Sequence, residues 1–243
     1  MALRKIALNG NPKHLTINSC IVLSNVRCQM SNVIIIVGLG NPGEEFEGTP
    51  HNAGFETINK LIVGIKNQEL RNTEKSEKYA SVWETKINKN EIIFVKPLLY
   101  MNKSGEALRH ILKTYNLTTA PVAGKDAGQA PTNYSLIVVH DDADLPMGSI
   151  RLSYNSGSAG HKGVEDIIRA LKTRGFYRFR IGTMPTVKRP RKRPKTTMNK
   201  LVTKKLTGIN KQKMEKTVNL CAQLIQDAVI EGIIDTGRRN YVI

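Results

Sequence analysis

The 243-residue sequence predicts one α/β domain, built as a mixed, twisted β-sheet flanked by helices. Short runs rich in Val and Ile alternate with segments whose apolar residues recur every three to four positions, which is the alternation of strands and helices. Two of the strand-like runs, 79–87 and 92–95, are separated by a few turn-forming residues and predict a hairpin. Because a hairpin is antiparallel, the sheet is expected to be mixed.

Six strands are predicted. Val33–Val37 comes first and is continuously apolar, which is typical of a strand buried on both faces. The hairpin follows, and Leu136–Val139 is a second buried run. Ser149–Tyr154 and Phe176–Thr183 complete the set.

Four helices are predicted from apolar stripes at helical spacing. The stripes begin at Phe55, Ala107, Val164 and Met214. Gly175 and Gly232 are the expected ends of the third and fourth helices, since glycine readily adopts the left-handed conformation that ends a helix. The apolar residues of these stripes are predicted to lie in the hydrophobic core.

Two segments interrupt the alternation. Residues 118–135 are rich in Ala, Gly, Pro and Thr and predict an inserted loop. Residues 188–195, KRPRKRPK, combine prolines with like charges, which excludes a regular helix or a paired strand. They begin a basic strip at 188–216, which holds twelve Lys and Arg against one Glu.

The charge of the chain points to an anionic partner. The sequence has 37 Lys and Arg against 20 Asp and Glu, a net charge of +17, with 40% hydrophobic residues. No apolar run approaches the roughly 20 residues that span a bilayer, which excludes a membrane-spanning protein. The basic strip predicts a polyanion such as nucleic acid as partner, and a solvated basic loop is the alternative.

Residues 1–31 form a basic extension ahead of the domain at 32–243. The first acidic residue is Glu44, and such a composition is typical of a mitochondrial transit peptide. A disordered cytosolic tail is the alternative. The three cysteines lack C-x-x-C spacing, which argues for a reducing compartment. We expect a mitochondrial or cytoplasmic location, with the acid-free extension favouring mitochondria.

Polar side chains follow three predicted strands. Asn41 and His51 follow the first strand, Asn102 follows the run at 92–95, and Asp141 follows Leu136–Val139. The carboxyl ends of strands are where open α/β sheets bind ligands. A histidine oriented by an aspartate suits a general base, and amides suit the binding of a carbonyl or its oxyanion.

Other interpretations of these residues are weaker. Gly38–Gly43 spells G-x-G-x-x-G, but Pro42 and the polar run to Pro50 delay the helix until about Asn52. No helix N-terminus is then available for a pyrophosphate, which argues against a dinucleotide site. A single histidine is more often structural than catalytic, and a small-molecule esterase would have no use for the basic strip.

Six motifs occur in order along the chain. They are VGLGNPG (Val37–Gly43), T-x-H-N (Thr49–Asn52), KPLLYMNKSG (Lys96–Gly105), HDDADLPMG (His140–Gly148), GHKGVEDII (Gly160–Ile168) and FRIG (Phe179–Gly182). Together they resemble the motifs of bacterial-type peptidyl-tRNA hydrolases. The resemblance implies a single α/β domain that hydrolyses the ester between a peptide and the 3′ ribose of tRNA, without metal or other cofactor. It also implies a monomer that contacts the acceptor stem and 3′ CCA end.

The resemblance implies roles for individual residues. His51 matches the general base that activates water, and Asp141 matches the carboxylate that keeps this histidine basic. Asn41 matches the amide that helps to distinguish N-blocked peptidyl-tRNA from free aminoacyl-tRNA. Asn102 matches the amide that binds substrate near the scissile ester.

Further positions match substrate contacts. Phe46 stands where the family usually has tyrosine and Tyr100 where it has phenylalanine, both beside the 3′ end of the substrate. Met101 is the next substrate-contact position. Arg151 and Arg180 occupy places where basic residues meet tRNA phosphates.

The chain departs from the family pattern at three places. Pro50 replaces the arginine of T-R-H-N, and Lys162 replaces the asparagine of G-H-N-G, where an ammonium can donate hydrogen bonds but not accept them. Thr183–Pro185 replaces a Gly-rich stretch after FRIG. The alternative function is therefore a catalytically weakened paralogue that binds tRNA or another RNA.

Overall fold

The computed structural model describes residues 27–29, 32–66, 71–118, 133–184, 203–235 and 240–243. The predictions for residues 1–26, for most of the loop at 118–135 and for the run at 188–195 lie outside these residues. Within them, none of the helices combines the length and apolar character needed to cross a bilayer.

The strands of the described chain form one large sheet and one small pair. The small pair is β1 (Arg27–Gln29) with β9 (Ile233–Asp235), so the end of the predicted extension pairs with the C-terminal region. The large sheet contains β2 (Val33–Gly38), β3 (Arg71–Glu77), β4 (Ala80–Ile87), β5 (Asn90–Pro97), β6 (Ser135–Pro146), β7 (Ser149–Tyr154), β8 (Tyr177–Met184) and β10 (Asn240–Val242).

The large sheet is mixed, as predicted. Its order is β10-β7-β8-β6-β2-β5-β4-β3. The four central strands β8, β6, β2 and β5 are parallel, whereas the β4–β5 hairpin and the β7–β8 pair are antiparallel. The carboxyl ends of the central strands therefore meet at one edge of the sheet.

Helices cover both faces of the sheet. Their bounds are α1 (Ala53–Lys66), α2 (Ser104–Thr114), α3 (Lys162–Leu171) and α4 (Gly208–Glu231). The alternation of side chains along β2 divides the core, since Ile34 and Ile36 pack with α1 and α4. Ile35 and Val37 face the other way and pack with α2 and α3. The domain thus has three layers.

Several elements differ from the sequence prediction. Strand β6 continues to Pro146 instead of ending at Val139, because its pairing with β8 goes on after its pairing with β2 has stopped at Gly38. Helix α3 ends at Leu171 and not at Gly175, because Lys172 takes the left-handed conformation with φ 56°. Four of the described strands were not predicted: the polar sequence RNTEKSE of β3 shows no apolar alternation, and β1, β9 and β10 are only three residues long.

Candidate active site

The predicted polar residues come together at the carboxyl edge of the central strands. Asn41 follows β2, Asn102 follows β5, and Asp141 lies on the part of β6 that extends beyond β2. Gly54 lets the start of α1 approach this edge, because a Cβ there would lie 2.4 Å from the backbone nitrogen of Leu39 and from the backbone oxygen of Val139. This approach brings the turn that carries His51 over the strand ends.

His51 and Asp141 form a direct pair. His51 lies on a 3₁₀ turn, Pro50–Asn52, that runs into α1, and its Nδ1 is 2.7 Å from Oδ1 of Asp141. The imidazole is 16% exposed, whereas the carboxylate is 2% exposed. An ionised carboxylate only accepts hydrogen bonds, so Nδ1 of His51 donates and Nε2 keeps a free lone pair.

A second histidine, His161, binds the same carboxylate oxygen. Its Nε2 lies 2.9 Å from Oδ1 of Asp141. Its Nδ1 accepts a hydrogen bond from the backbone N–H of Val164 and caps the N-terminus of α3. A neutral imidazole has one N–H, so Nε2 of His161 carries the hydrogen and donates it to Asp141.

Two donors keep Asp141 ionised. Burial by itself would raise the pKa of the Asp141 carboxyl, but the attraction and hydrogen bonds of His161 and His51 outweigh it. The pKa of Asp141 is therefore held well below its usual range. The carboxylate can stabilise positive charge on a neighbouring imidazole.

A third histidine, His140, packs against His161, with ring centroids 4.7 Å apart. Its Nδ1 donates to the backbone oxygen of Asp141 at 2.7 Å, and its Nε2 is buried without a hydrogen-bond partner among the described residues. Burial, with repulsion from His161 and Arg178 as smaller causes, holds the pKa of His140 well below its ordinary value. His140 is therefore a neutral packing residue.

Asn41 is held by hydrogen bonds that orient its amide. Asn52, the residue after His51, accepts from the backbone N–H of Asn41 at 2.9 Å and donates to its backbone oxygen at 3.1 Å. The side-chain Oδ1 of Asn41 accepts from the backbone N–H of Met101 at 2.8 Å. Within the described residues, the Nδ2 group of Asn41 is thus the part of the amide left to donate to another molecule.

Of the other substrate contacts predicted near this edge, Asn102, Tyr100 and Phe46 reach the surface and Met101 does not. Asn102 is exposed on the 3₁₀ turn Met101–Lys103, whereas Met101 itself is buried. Tyr100 is 59% exposed, and its ring meets that of Phe46 edge to face with centroids 6.4 Å apart. The two rings offer an aromatic surface beside Asn41 and Asn102.

The two unusual residues of the motifs fit the backbone differently. Pro50 is buried at the first position of its turn, where the fixed φ of proline suits a helical start. Lys162 is the exposed first residue of α3, immediately after His161. The side chain of Lys162 is thus exposed at the start of the helix that His161 caps.

Arg151 and Arg180 are neighbours on the sheet. They face each other across the antiparallel β7–β8 pair, so their side chains lie on the same face. Arg180 pairs with Asp142 at 2.6 Å, and Nε of Arg151 donates to Oδ1 of Asn240 at 2.7 Å. Two guanidinium groups and one carboxylate leave this surface with excess positive charge.

The described part of the basic strip contacts the turn that follows β2. Nζ of Lys205 donates to the backbone oxygen of Glu44 at 3.0 Å, and the backbone N–H of Leu206 donates to the backbone oxygen of Gly48 at 2.9 Å. These contacts lie on the turn that carries Phe46. The strip and the aromatic surface are therefore adjacent.

One group of the described residues has metal-ligating atoms close enough to share an ion. It consists of His51, Asp141 and His161, whose ligand atoms lie within 4.8 Å of one another. Both imidazoles donate hydrogens to a single carboxylate oxygen, so a cation would have to displace both hydrogen bonds. The arrangement suits proton transfer better than metal binding.

Three residues of the site were not singled out from the sequence: His161, Asn52 and Asp142. Each lies inside a motif that the sequence displays, next to Lys162, His51 and Asp141 respectively. A polar residue directly beside a candidate residue is the signal that could have found them. Their contacts with Asp141, Asn41 and Arg180 depend on the fold.

Comparison with known proteins gives one consistent result. The family model of peptidyl-tRNA hydrolase matches residues 35–241. A peptidyl-tRNA hydrolase of Thermodesulfovibrio yellowstonii is 32% identical over 83% of this chain and 95% of that protein. One from Lawsonia intracellularis is 41% identical over 61% of this chain, and the match spans 65% of that protein. The crystal structure of the peptidyl-tRNA hydrolase of Acinetobacter baumannii superposes with a TM-score of 0.66 at 28% identity, covering 84% of this chain and 92% of that one.

Proposed function

The chain belongs to the peptidyl-tRNA hydrolase family, and we propose that it hydrolyses the ester between a peptide and the 3′ end of tRNA with His51 as general base. The observation that carries the proposal is the His51–Asp141 pair at 2.7 Å, at the same sheet edge as Asn41 and Asn102. The products are free tRNA and free peptide.

The reaction starts with proton transfer to His51. Nε2 of His51 has the free lone pair, so it takes a proton from water as the water oxygen bonds to the ester carbonyl carbon. The imidazolium that forms is stabilised by Asp141, which stays ionised. The bond from carbonyl carbon to ribose oxygen then breaks, and the ribose oxygen takes the proton back from His51.

The amides act on the peptide side of the ester. Asn41 has its oxygen bound to Met101, so Nδ2 donates to a carbonyl of the substrate. An N-blocked substrate has an amide carbonyl at its N-terminus, whereas a free aminoacyl group has an ammonium, which cannot accept this hydrogen bond. Asn102, exposed on the neighbouring turn, donates to the substrate beside the scissile ester in the ground state and in the transition state alike, so its loss should weaken substrate binding and raise KM.

The tRNA is bound by stacking and by charge. Phe46 and Tyr100 offer the aromatic surface on which the 3′ terminal base stacks. Arg151, Arg180 and the basic strip contact phosphates of the acceptor stem. Lys205 and Leu206 bring the strip to the turn of Phe46, which puts phosphate contacts beside the 3′ end.

One assay tests the proposed function. The purified full chain is incubated with N-acetyl-aminoacyl-tRNA and, in parallel, with the same aminoacyl-tRNA unblocked. We expect tRNA release from the blocked substrate alone. Binding of both without release would instead support the RNA-binding paralogue that Lys162 and the basic strip suggest.

A matched variant makes the assay specific. Asn41→Ala removes the only amide that the proposal gives to the substrate's N-terminal carbonyl, so the preference for the blocked substrate should fall. Lys86→Ala, an exposed residue paired with Glu91 at the start of β5 and thus at the opposite edge of the sheet, is the control and should keep the preference. Equal cleavage of blocked and free substrates by the wild-type protein would contradict the role of Asn41.

A further inference from the structure

Asp166 is a buried carboxylate that the proposed mechanism does not use. It lies on α3 and is 6% exposed. Its Oδ2 accepts a hydrogen bond of 2.7 Å from the backbone N–H of Gly105, which belongs to α2. Its Oδ1 is paired with Arg169, one turn further along α3. A side chain of α3 thus binds the first turn of α2.

Helix α2 depends on this contact for its N-terminus. Its own N-cap residue, Lys103, makes no capping hydrogen bond through its side chain. The first N–H groups of a helix lack partners within the helix, and a negative charge is favourable there. Asp166 supplies both the acceptor and the charge from outside α2.

The two helices are in direct backbone contact at this point. A Cβ at Gly105 would lie 2.3 Å from the backbone oxygen of Asp166 and 2.7 Å from the Cβ of Ala170. A Cβ at Gly163, also on α3, would lie 2.6 Å from Sδ of Met101. Glycine at both places lets α3 touch α2 and the turn that precedes it.

That preceding turn carries Asn102. Oγ of Ser104 donates to the backbone oxygen of Met101 at 2.8 Å, and the backbone N–H of Met101 donates to Asn41 at 2.8 Å. The turn is therefore fixed to Asn41 on one side and, through Gly105, to Asp166 on the other. The same helix α3 starts beside His161, which binds Asp141.

We propose that Asp166 is a positioning residue that sets the place of Asn102 relative to the His51–Asp141 pair. The inference rests on the proposed function, because its readout is hydrolysis of a blocked aminoacyl-tRNA. Asp166 acts through the turn that carries Asn102 and contacts neither the substrate nor the attacking water. Loss of its acceptor should displace Asn102 and leave proton transfer to His51 unchanged.

The test compares Asp166→Ala with Asp166→Asn. An asparagine oxygen can still accept from Gly105, so Asp166→Asn should keep KM within about twofold of wild type, whereas Asp166→Ala should raise KM about tenfold. The pH dependence of kcat should keep its shape in both variants. If the alanine variant does not fold, Asp166→Leu fills the buried site without an acceptor and should give the same rise in KM.

A double-mutant cycle identifies the route of the effect. In an Asn102→Ala background, Asp166→Ala should change KM by less than about twofold, because the group that it positions is already absent. Thr217→Val is the matched control, since it removes a buried hydrogen bond to Lys213 in α4, on the opposite face of the sheet, and should leave KM unchanged.

The outcomes separate this inference from the proposed function. A wild-type chain without hydrolysis would contradict the proposed function itself. An active wild type with an unchanged KM in Asp166→Ala would overturn only the role of Asp166. The same tenfold rise in the Asn102→Ala background would also overturn it, since Asp166 would then act by another route.

Discussion

At the scale of single residues, Asp141 determines the chemistry of the site. One carboxylate oxygen accepts from both His51 and His161, and these donors outweigh the burial that would otherwise favour the protonated acid. The charge state of Asp141 is thus fixed by its neighbours. Its lowered pKa also means that its contribution to stability is present at neutral pH and disappears only in strong acid.

Replacing Lys162 tests whether a lysine at this position of the GHKGVEDII motif is compatible with catalysis. We expect Lys162→Asn to keep kcat/KM or to raise it by up to about tenfold, because a neutral hydrogen bond contributes ~1 kcal/mol and the family's amide would be restored. Steady-state hydrolysis of N-acetyl-aminoacyl-tRNA measures the effect. Lys172→Asn, at the other end of α3, removes the same charge and is the control. A fall beyond tenfold in Lys162→Asn would show that the ammonium has a role that an amide cannot fill.

His140 links stability to pH. Its pKa is lowered in the folded protein, so the unfolded chain binds more protons below the ordinary histidine pKa, and unfolding becomes easier as pH falls. Between pH 7 and 5.5 this histidine alone should reduce the free energy of unfolding by about 1 kcal/mol.

The variant His140→Asn isolates this effect. Asparagine keeps a donor for the backbone oxygen of Asp141 but does not titrate in this range. Urea unfolding at both pH values should therefore show a smaller decrease in stability for His140→Asn than for wild type. Equal decreases in the two proteins would exclude His140 as the cause.

At the scale of elements, strand β6 shows what the sequence could and could not predict. The apolar run Leu136–Val139 correctly indicates a buried strand, and the polar residues after it correctly indicate a site. The pattern ends at Val139, yet the strand continues, because β8 pairs with it beyond the end of β2. Pairing by a partner some 40 residues away leaves no local signal, so Asp141 was expected after the strand and lies within it.

Helix α3 shows the same limit at its C-terminus. Its apolar stripe predicts the helix, but Lys172 ends it in the left-handed conformation although Gly175 is the better residue for that role. Packing of Leu171 and Phe176 in the core sets where the chain must turn. The position of the cap is therefore decided by tertiary structure.

Replacing Lys172 with glycine should stabilise the protein. A side chain in the left-handed region costs about 1 kcal/mol that glycine does not incur, so we expect Lys172→Gly to raise the free energy of unfolding by roughly 0.5–1 kcal/mol. Thermal unfolding should shift upwards by about 1–4 °C. Lys172→Ala removes the same charge but keeps a Cβ, so it should bring no such gain. A lower Tm for Lys172→Gly would contradict the assignment of this cap.

At the scale of the whole molecule, the layered sheet explains why residues far apart in sequence form one site. Parallel pairing of β2, β5 and β6 follows from their apolar character, and it places the ends of three strands together. The sequence could therefore predict His51, Asp141, Asn41 and Asn102 as one site. It could not predict that His161 shares Asp141 or that Asp166 reaches Gly105, since both contacts depend on how α3 lies against the sheet.

The basic strip should supply affinity for tRNA and little of the chemistry. Replacing the six basic residues within 188–195 with serine should raise KM and leave kcat at saturation nearly unchanged. Each phosphate contact that is lost should reduce the steepness of the plot of log affinity against log salt concentration by about 0.7–0.9. A variant with lysine at all six positions keeps the charge and should keep the slope. An unchanged slope in the serine variant would exclude a tRNA-binding role for this run.

The central claim is that His51 takes the proton from water, and His51→Ala tests it most directly. Single-turnover hydrolysis of N-acetyl-aminoacyl-tRNA is measured together with the affinity for tRNA. His110→Ala serves as the control, since His110 is another partly exposed histidine paired with an acidic residue, Glu77. We predict that His51→Ala slows hydrolysis by about 10²–10⁴-fold while binding stays within about twofold, and that His110→Ala changes neither. Hydrolysis by His51→Ala within a few fold of wild type would contradict the account.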